Sequence, residues 1–354
     1  MNRNPYAISF GRIPTQYICR RILVDEIIDT LNSDVIEEQA FKLTGIRGTG
    51  KTVTLTTIEK SLRESDDWII IDLKANSDMM TDLVANLYTK VPFITKFIDA
   101  NLNLSAFGIG IGITQKSPAA SLDAALEMLL TEIKKRNKKV LIAIDEARKT
   151  EAVVDFIQEF QILIRKELPI YLIMAGLYED IESIENSDGL TFFLRAAKYE
   201  MTPLNITVIK ADYKKTLGLT EDVAYELAVM TKGYAFAYQA FGKYMWDSGE
   251  KSVTEDVLIL VDEALREKVY EKVWSELSPK DRWFLSYIVQ KDSMDVSELL
   301  EMTKKKHNEW SEPRKRLIDK GIIDGSIRGV ISLKLPRLKE FVESKDLNRE
   351  YHKK

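Results

Sequence analysis

Runs rich in Ile, Leu and Val stand at "AFKLTG" (40–45), "DWIIIDL" (67–73), "KKVLIAIDE" (138–146) and "LPIYLIMAG" (168–176). They lack polar alternation, which predicts strands buried on both faces of a parallel sheet. Stretches of helical length separate them, at roughly 50–64, 77–91, 120–136 and 150–166. Ser121 is placed to cap the third of these helices. A fifth strand is expected at "KYEMTPL" (198–204). Alternation of this kind predicts an α/β fold around a parallel sheet.

After Pro203 the pattern changes. Segments 206–216, 220–231, 234–247 and 253–267 read as helices, punctuated by Gly218, Gly233 and Gly249. From about residue 269 a third pattern begins, with helices expected at 279–290, 295–305 and 309–321. "IIDGSIRGVISLKL" (322–335) then supplies two β-prone runs around a Gly-containing turn. Three helices and such a wing predict a winged helix-turn-helix. The expected organisation is an α/β domain over 1–204, a helical lid over 205–268, a winged helix over 269–345 and a tail over 346–354. "SAFGIGIGITQ" (105–115), with its alternating glycines, is expected to be a strand or hairpin.

The length, 354 residues with 45% hydrophobic and 30% charged, suits a globular chain of two or three domains. One cysteine, Cys19, excludes an intramolecular disulfide and suits a reducing cytoplasm. The N-terminal residues carry no signal-peptide pattern, and no apolar run approaches the ~20 residues of a membrane helix. A cytoplasmic protein with no membrane partner is therefore expected. Residues 301–354 hold 15 Lys/Arg against 9 Asp/Glu, which leaves −10 for the first 300 residues of a chain whose net charge is −4. That asymmetry hints at an acidic partner for the C-terminal region. One Cys and two distant His cannot assemble a zinc site, and no nucleophile-elbow motif occurs.

The chemistry concentrates in "LTGIRGTGKTVTL" (43–55), where Gly45-x-x-x-x-Gly50-Lys51-Thr52 is a complete phosphate-loop pattern between a strand and a helix. Glycines let the backbone curl so that several N–H groups face one anion, and the following helix adds its positive end. Gly45, Arg47, Gly48, Thr49, Gly50, Lys51 and Thr52 are thus the candidate ATP-binding residues. Lys51 would reach the β- and γ-phosphates, and the Thr52 hydroxyl would bind Mg²⁺. The second signal is "VLIAIDEA" (140–147), an apolar strand that ends in two carboxylates. Asp145 is placed to hold Mg²⁺ through water, and Glu146 to polarise or deprotonate an attacking water.

Taken together, these motifs resemble an AAA+ ATPase of the branch that holds the origin-recognition ATPases and the archaeal-type, STAND-related NTPases. The likeness covers roughly residues 4–250. "NPYAISFGRIPTQYICRR" (4–21) is similar to the family's N-terminal segment, which usually ends in a Gly-Arg pair beside the adenine; this sequence departs from it with Cys19-Arg20-Arg21, so the resemblance offers only Arg20 and Arg21 there. "LPIYLIMAGLYEDI" is similar to the sensor 1 strand, and "GYAFAYQAFGKYMWD" (233–247) to the lid helix that starts with sensor 2. "FFLRAAKYEMTPL" (192–204) is similar to the segment bearing an arginine finger, which maps to Arg195; the plainer reading of Arg195 is a surface arginine beside a strand. The sequence departs from the family at Ala175-Gly176, where a polar sensor 1 residue is usual, and at Phe236, nearest the sensor 2 arginine. Both departures bear on hydrolysis more than on binding.

The resemblance implies ATP held between the α/β domain and the lid, with self-association in the ATP state. "HNEWSEPRKRLIDKGIIDGSIRGVISLK" (307–334) fits a recognition helix and wing. Arg314, Lys315, Arg316 and, at the wing tip, Arg328 are its candidate contacts to duplex DNA. Leu317, Ile318, Ile322 and Ile323 read as core. Three functions remain open on the sequence: a slow Mg²⁺-dependent ATPase switch coupled to DNA, a STAND-like signalling ATPase whose winged helix binds protein or autoinhibits, and a nucleotide-binding scaffold with negligible turnover.

Overall fold

A computed structural model describes residues 3–9, 13–75, 78–101, 104 and 121–345. The glycine-rich segment expected as a hairpin and the 346–354 tail lie outside the described residues. By their contacts the residues fall into two compact units. One is Arg20–Thr44 with Lys51–Glu200, and the other is Met1–Cys19 with Gly45–Gly50 and Met201–Lys354.

The first unit is the α/β body. Its elements are α1 (Arg21–Asn32), β1 (Ala40–Thr44), α2 (Lys51–Arg63), β2 (Trp68–Asp72), α3 (Met79–Lys90), α4 (Pro92–Asn101), α5 (Leu122–Lys134), β3 (Lys139–Ile144), α6 (Glu151–Arg165), β4 (Ile170–Gly176), α7 (Tyr178–Glu185) and β5 (Ala197–Glu200). All five strands pair in parallel, in the order β2-β3-β4-β1-β5. β1 and β4 are buried along their whole length, which is why their sequences show no polar alternation. Ser121 accepts a hydrogen bond from the Ala124 amide and caps α5 as its sequence predicts; Thr150 does the same for α6 through Val153. The core of this unit gathers Leu129, Ile142, Phe156, Leu172 and Phe193 from helices and strands alike.

The other unit is mainly helical. Its first half has α8 (Ile206–Leu217), α9 (Glu221–Met230), α10 (Ala235–Ser248) and α11 (Glu255–Leu265), and a π-helical turn (Arg266–Tyr270) leads on to α12 (Glu271–Ser275). The N-terminal strap is fastened to these helices. Asp212 accepts from the Tyr6 hydroxyl at 2.7 Å and the Tyr238 hydroxyl at 2.8 Å, and the Tyr6 ring lies where a side chain on Gly242 would have to be. The second half is a winged helix: α13 (Pro279–Ile288), β6 (Ser293–Asp295), α14 (Val296–Thr303), α15 (His307–Asp319), β7 (Ile323–Asp324), β8 (Val330–Leu333) and α16 (Leu338–Glu343). Its antiparallel sheet runs β6-β8-β7. β6 is the strand the sequence does not announce, because three residues reading Ser-Met-Asp bury only Met294. Leu317, Ile322 and Ile323 are core, as their sequence predicts, and Trp310 joins them, while Ile318 is half-buried.

Candidate functional site

The chain between β1 and α2 is the glycine loop. Gly48 and Gly50 hold φ of +75° and +92°, conformations that side-chain-bearing residues rarely adopt. The Thr49 hydroxyl donates to the Ile46 carbonyl at 2.8 Å and closes the turn. Two loop carbonyls are tied to the start of α10: Arg47 C=O accepts from the Tyr234 hydroxyl, and Gly48 C=O accepts from the Phe236 amide at 3.0 Å. The peptide bonds are trans, so the N–H groups of Gly48 and Thr49 point opposite to those carbonyls, the arrangement that makes an anion cradle. Gly48 is fixed by packing as well as by φ, since a Cβ there would lie 2.2 Å from the Tyr234 oxygen. The Arg47 guanidinium is 3.7 Å from the Glu276 carboxylate, so this loop residue faces an acid of α12's C-terminal end.

The acidic pair follows β3. Asp145 accepts from the Thr52 hydroxyl at 2.6 Å through Oδ2 and from the Glu146 amide at 2.9 Å through Oδ1. Glu146 takes a left-handed φ of +51°, uncommon for a residue with a side chain and often found where a functional group is being aimed. Its carboxylate is exposed. Thr52 and Asp145 are hard oxygen donors at bonding distance, a set that fits Mg²⁺ completing its shell with phosphate oxygens and water. Among the described residues, no group of three or more His, Cys, Asp or Glu side chains would hold an ion by protein ligands alone.

Both residues open onto a cleft of about 660 Å³ that Glu59, Asp72, Lys74 and Arg148 also line. Glu59 is 5% exposed. Burial, then the adjacent Asp72 carboxylate, push its carboxyl up to about 7; Arg63 pulls the other way and Asp145 adds to the rise. Sequence reasoning misses Glu59, because a glutamate on the phosphate-loop helix reads as an ordinary solvated residue until β2 is known to bring Asp72 against it.

Gly176 is required by packing. A Cβ on Gly176 would lie 2.9 Å from the Ala147 carbonyl oxygen and 3.0 Å from the Ile181 side chain. The Ala147 amide in turn donates to the Ala175 carbonyl at 2.8 Å, so β4 and the segment after the acidic pair are closed tightly together. No polar side chain fits at position 176. Phe236 meets the glycine loop through its backbone amide, and its Cβ lies 3.1 Å from where a Cβ on Gly48 would be. Arg195 ends a short 3₁₀ turn, Phe193–Arg195, directly before β5; it is exposed and pairs with no acid among the described residues.

In the winged helix, two of the four cations expected on DNA are committed to the fold. Arg316 makes a forked pair with Asp281, at 2.7 to 3.1 Å. Asp281 is 1% exposed and also closes the capping box of α13 with Ser278. Burial pushes its carboxyl up, but bonds from Arg316 and Ser278 outweigh that and hold it below the usual carboxylate range. Arg314 donates to the Gly325 carbonyl at 3.0 Å, tying α15 to the wing turn. Lys315 and Arg328 are exposed. The sequence places the three neighbouring cations together; the helix turns them apart at ~100° per residue, leaving Lys315 exposed and Arg314 and Arg316 half-buried.

A five-stranded parallel sheet in this order, with a glycine loop after β1 and an acidic pair after β3, joins a helical segment and a C-terminal winged helix to define the fold. Two solved structures share it along nearly the whole chain. One is Cdc6p from Pyrobaculum aerophilum, with 16% identity, 97% of each chain covered and a TM-score of 0.50. The other is the ORC2 protein of Aeropyrum pernix in its ADPNP–ADP complexes, with 17% identity, 98% of each chain covered and a TM-score of 0.52. Residues 267–342, the winged helix, match a family model described as a domain of unknown function, DUF8462. No curated protein sequence matches this one. Among the described residues no helix is long and apolar enough to cross a membrane.

Proposed function

We propose that this chain is an ATP-binding AAA+ switch, a slow Mg²⁺-dependent ATPase that associates with duplex DNA through its winged helix. The Thr52–Asp145 hydrogen bond of 2.6 Å carries the reading. It joins the hydroxyl that follows the loop lysine to the first carboxylate after β3, and this is the donor pair that a nucleotide-bound Mg²⁺ requires. Backbone amides of Gly45 to Gly50 receive the phosphates, and Lys51 neutralises the β- and γ-phosphate charge. Thr52 and Asp145 would hold Mg²⁺, which would supply positive charge to the phosphates. Glu146 orients a water whose oxygen attacks the γ-phosphorus, and it accepts that water's proton as the bond to ADP breaks.

Turnover is slow because position 176 admits no polar side chain and because Phe236 stands where the family carries an arginine. Arg195 compensates when ATP-bound copies assemble, reaching the γ-phosphate of a neighbouring copy. Lys315 and Arg328 meet DNA phosphates. With only two such contacts the affinity is weak and falls with salt on a log–log slope of about −2.

The commitment of Arg314 and Arg316 within the winged helix favours a second reading, a signalling ATPase whose winged helix meets protein. Binding to an arbitrary duplex, measured by fluorescence anisotropy over stepped salt with no nucleotide, ADP and ATP, separates the two. Salt-dependent binding strengthened by ATP is expected. Nucleotide-driven assembly without duplex affinity at low salt would instead support the signalling reading.

A further inference from the structure

A lysine with no exposed surface stands in the middle of β1, three residues before the phosphate loop. Lys42 is 0% exposed and points among core residues of the α/β unit. Its Nζ donates to the Phe193 carbonyl at 2.7 Å, with the Leu194 carbonyl at 3.4 Å, and lies 2.8 Å from the Glu185 carboxylate. The ammonium also sits 5.0 Å from the centre of the Phe193 ring. Glu185, the last residue of α7 and itself buried, receives a second cation, Lys198 of β5, at 3.3 Å.

A buried charge is costly, and one in a strand that otherwise reads Ala-Phe-Leu-Thr needs a reason beyond packing. A methionine would fill the same volume without the desolvation penalty. What methionine cannot do is bond two consecutive carbonyls. Those carbonyls belong to the 3₁₀ turn Phe193–Arg195, whose third residue is the exposed Arg195. The β1–β5 pairing of Phe41 with Ala197 and Lys42 with Lys198 brings this turn to the phosphate-loop strand. Lys42 therefore fixes the backbone from which Arg195 projects, and it does so from the strand that leads into the nucleotide loop.

We infer that Lys42 is a positioning residue for Arg195: it holds the Phe193–Arg195 turn so that each copy presents its arginine to a neighbour's γ-phosphate. This rests on the finger reading of Arg195 above, and the two fail differently. Lys42→Met leaves the nucleotide loop intact, so Mg²⁺·ATP affinity stays within about twofold. Turnover of the assembled protein falls at least tenfold, toward that of Arg195→Ala. Lys42→Met copies retain a complete active site and lack only a well-placed finger. Mixing them with Glu146→Gln copies, which have the finger and a dead site, should restore a substantial part of the activity.

Damage to the copy's own site would not be rescued in this way. Trypsin cleavage after Arg195 should also become several-fold faster in Lys42→Met, as the turn loses its carbonyl anchor. Should Lys42→Met fold poorly because Glu185 is left buried, the Lys42→Met/Glu185→Gln double variant removes both charges and is put through the same measurements. Arg195→Ala mixed with Glu146→Gln is run alongside. If that control mixture recovers activity and neither Lys42 variant does, or if the Lys42 variants hydrolyse ATP as wild type does, the positioning role is overturned while the finger stands. If the control mixture recovers nothing, the finger reading falls and the role of Lys42 falls with it.

Discussion

The Tyr234 hydroxyl donates to the Arg47 carbonyl, and its oxygen occupies the space a side chain on Gly48 would need. One tyrosine thus determines both the path of the phosphate loop and the requirement for glycine at position 48. Tyr234 is buried, and burial keeps its phenol well above its ordinary value, so it remains a hydrogen-bond donor at any working pH. Tyr234→Phe removes that donor and leaves the Arg47 carbonyl unpaired. A loss of about 1–2 kcal/mol in unfolding free energy is expected, together with weaker nucleotide affinity. Denaturant unfolding and nucleotide titration of the same variant check both halves. Unchanged affinity with reduced stability would confine Tyr234 to a packing role.

Glu59 gives the cleft a pH dependence of defined sign. Its carboxyl is raised from near 4.5 to about 7, so the folded chain holds a proton there that the unfolded chain releases. Its contribution is present below pH 4.5 and is lost as pH rises through about 7. Glu59→Gln mimics the protonated form and can donate to Asp72. It should stabilise the protein at pH 8 by on the order of 2–3 kcal/mol and leave stability at pH 4.5 nearly unchanged. Chemical denaturation at the two pH values measures this. Equal effects at both would show that Glu59 does not titrate in this window.

The winged helix separates structural cations from exposed ones. Arg316→Ala strips the partner from a buried Asp281 and is expected to destabilise the chain by roughly 3 kcal/mol. Lys315→Ala with Arg328→Ala should leave the melting transition in place and bring the salt slope of duplex binding from about −2 toward zero. Thermal melts and anisotropy titrations of the two variants should therefore give opposite patterns. A stable Arg316→Ala protein that had lost DNA affinity would return Arg316 to the DNA surface.

Glu146→Gln is expected to keep ATP bound while abolishing hydrolysis, because the amide cannot accept the water's proton. Single-turnover assays with pre-bound ATP isolate that step. Full activity in the variant would remove Glu146 from the mechanism.

Much of this architecture is legible in the sequence for physical reasons that can be named. β1, β3 and β4 are buried on both faces, so their apolar runs stand out, and Ser121 announces α5 by its chemistry. The phosphate loop and the Asp145–Glu146 pair are legible because the backbone conformation and the charge they need restrict the residues allowed. What stays hidden depends on partners distant in sequence. Arg316 looks like its neighbours until Asp281, 35 residues away, is found opposite it. Lys42 reads as a polar interruption of a strand until the carbonyls of Phe193 and Leu194 are seen around it. β6 is too short to show a period, and its pairing with β8 alone defines it.

On the reading proposed above, Lys51 and Thr52 at the start of α2 hold the phosphates of Mg²⁺·ATP beside Asp145. Equilibrium titration of Mg²⁺·ATP and Mg²⁺·ADP into the wild-type chain and Lys51→Ala tests it most directly. Saturable binding by the wild type is expected, weakened by chelating the Mg²⁺, with a loss of at least ~1.4 kcal/mol, or tenfold, in Lys51→Ala. Equal affinity in the two proteins would contradict the phosphate-loop assignment, and with it the ATPase reading of the whole chain.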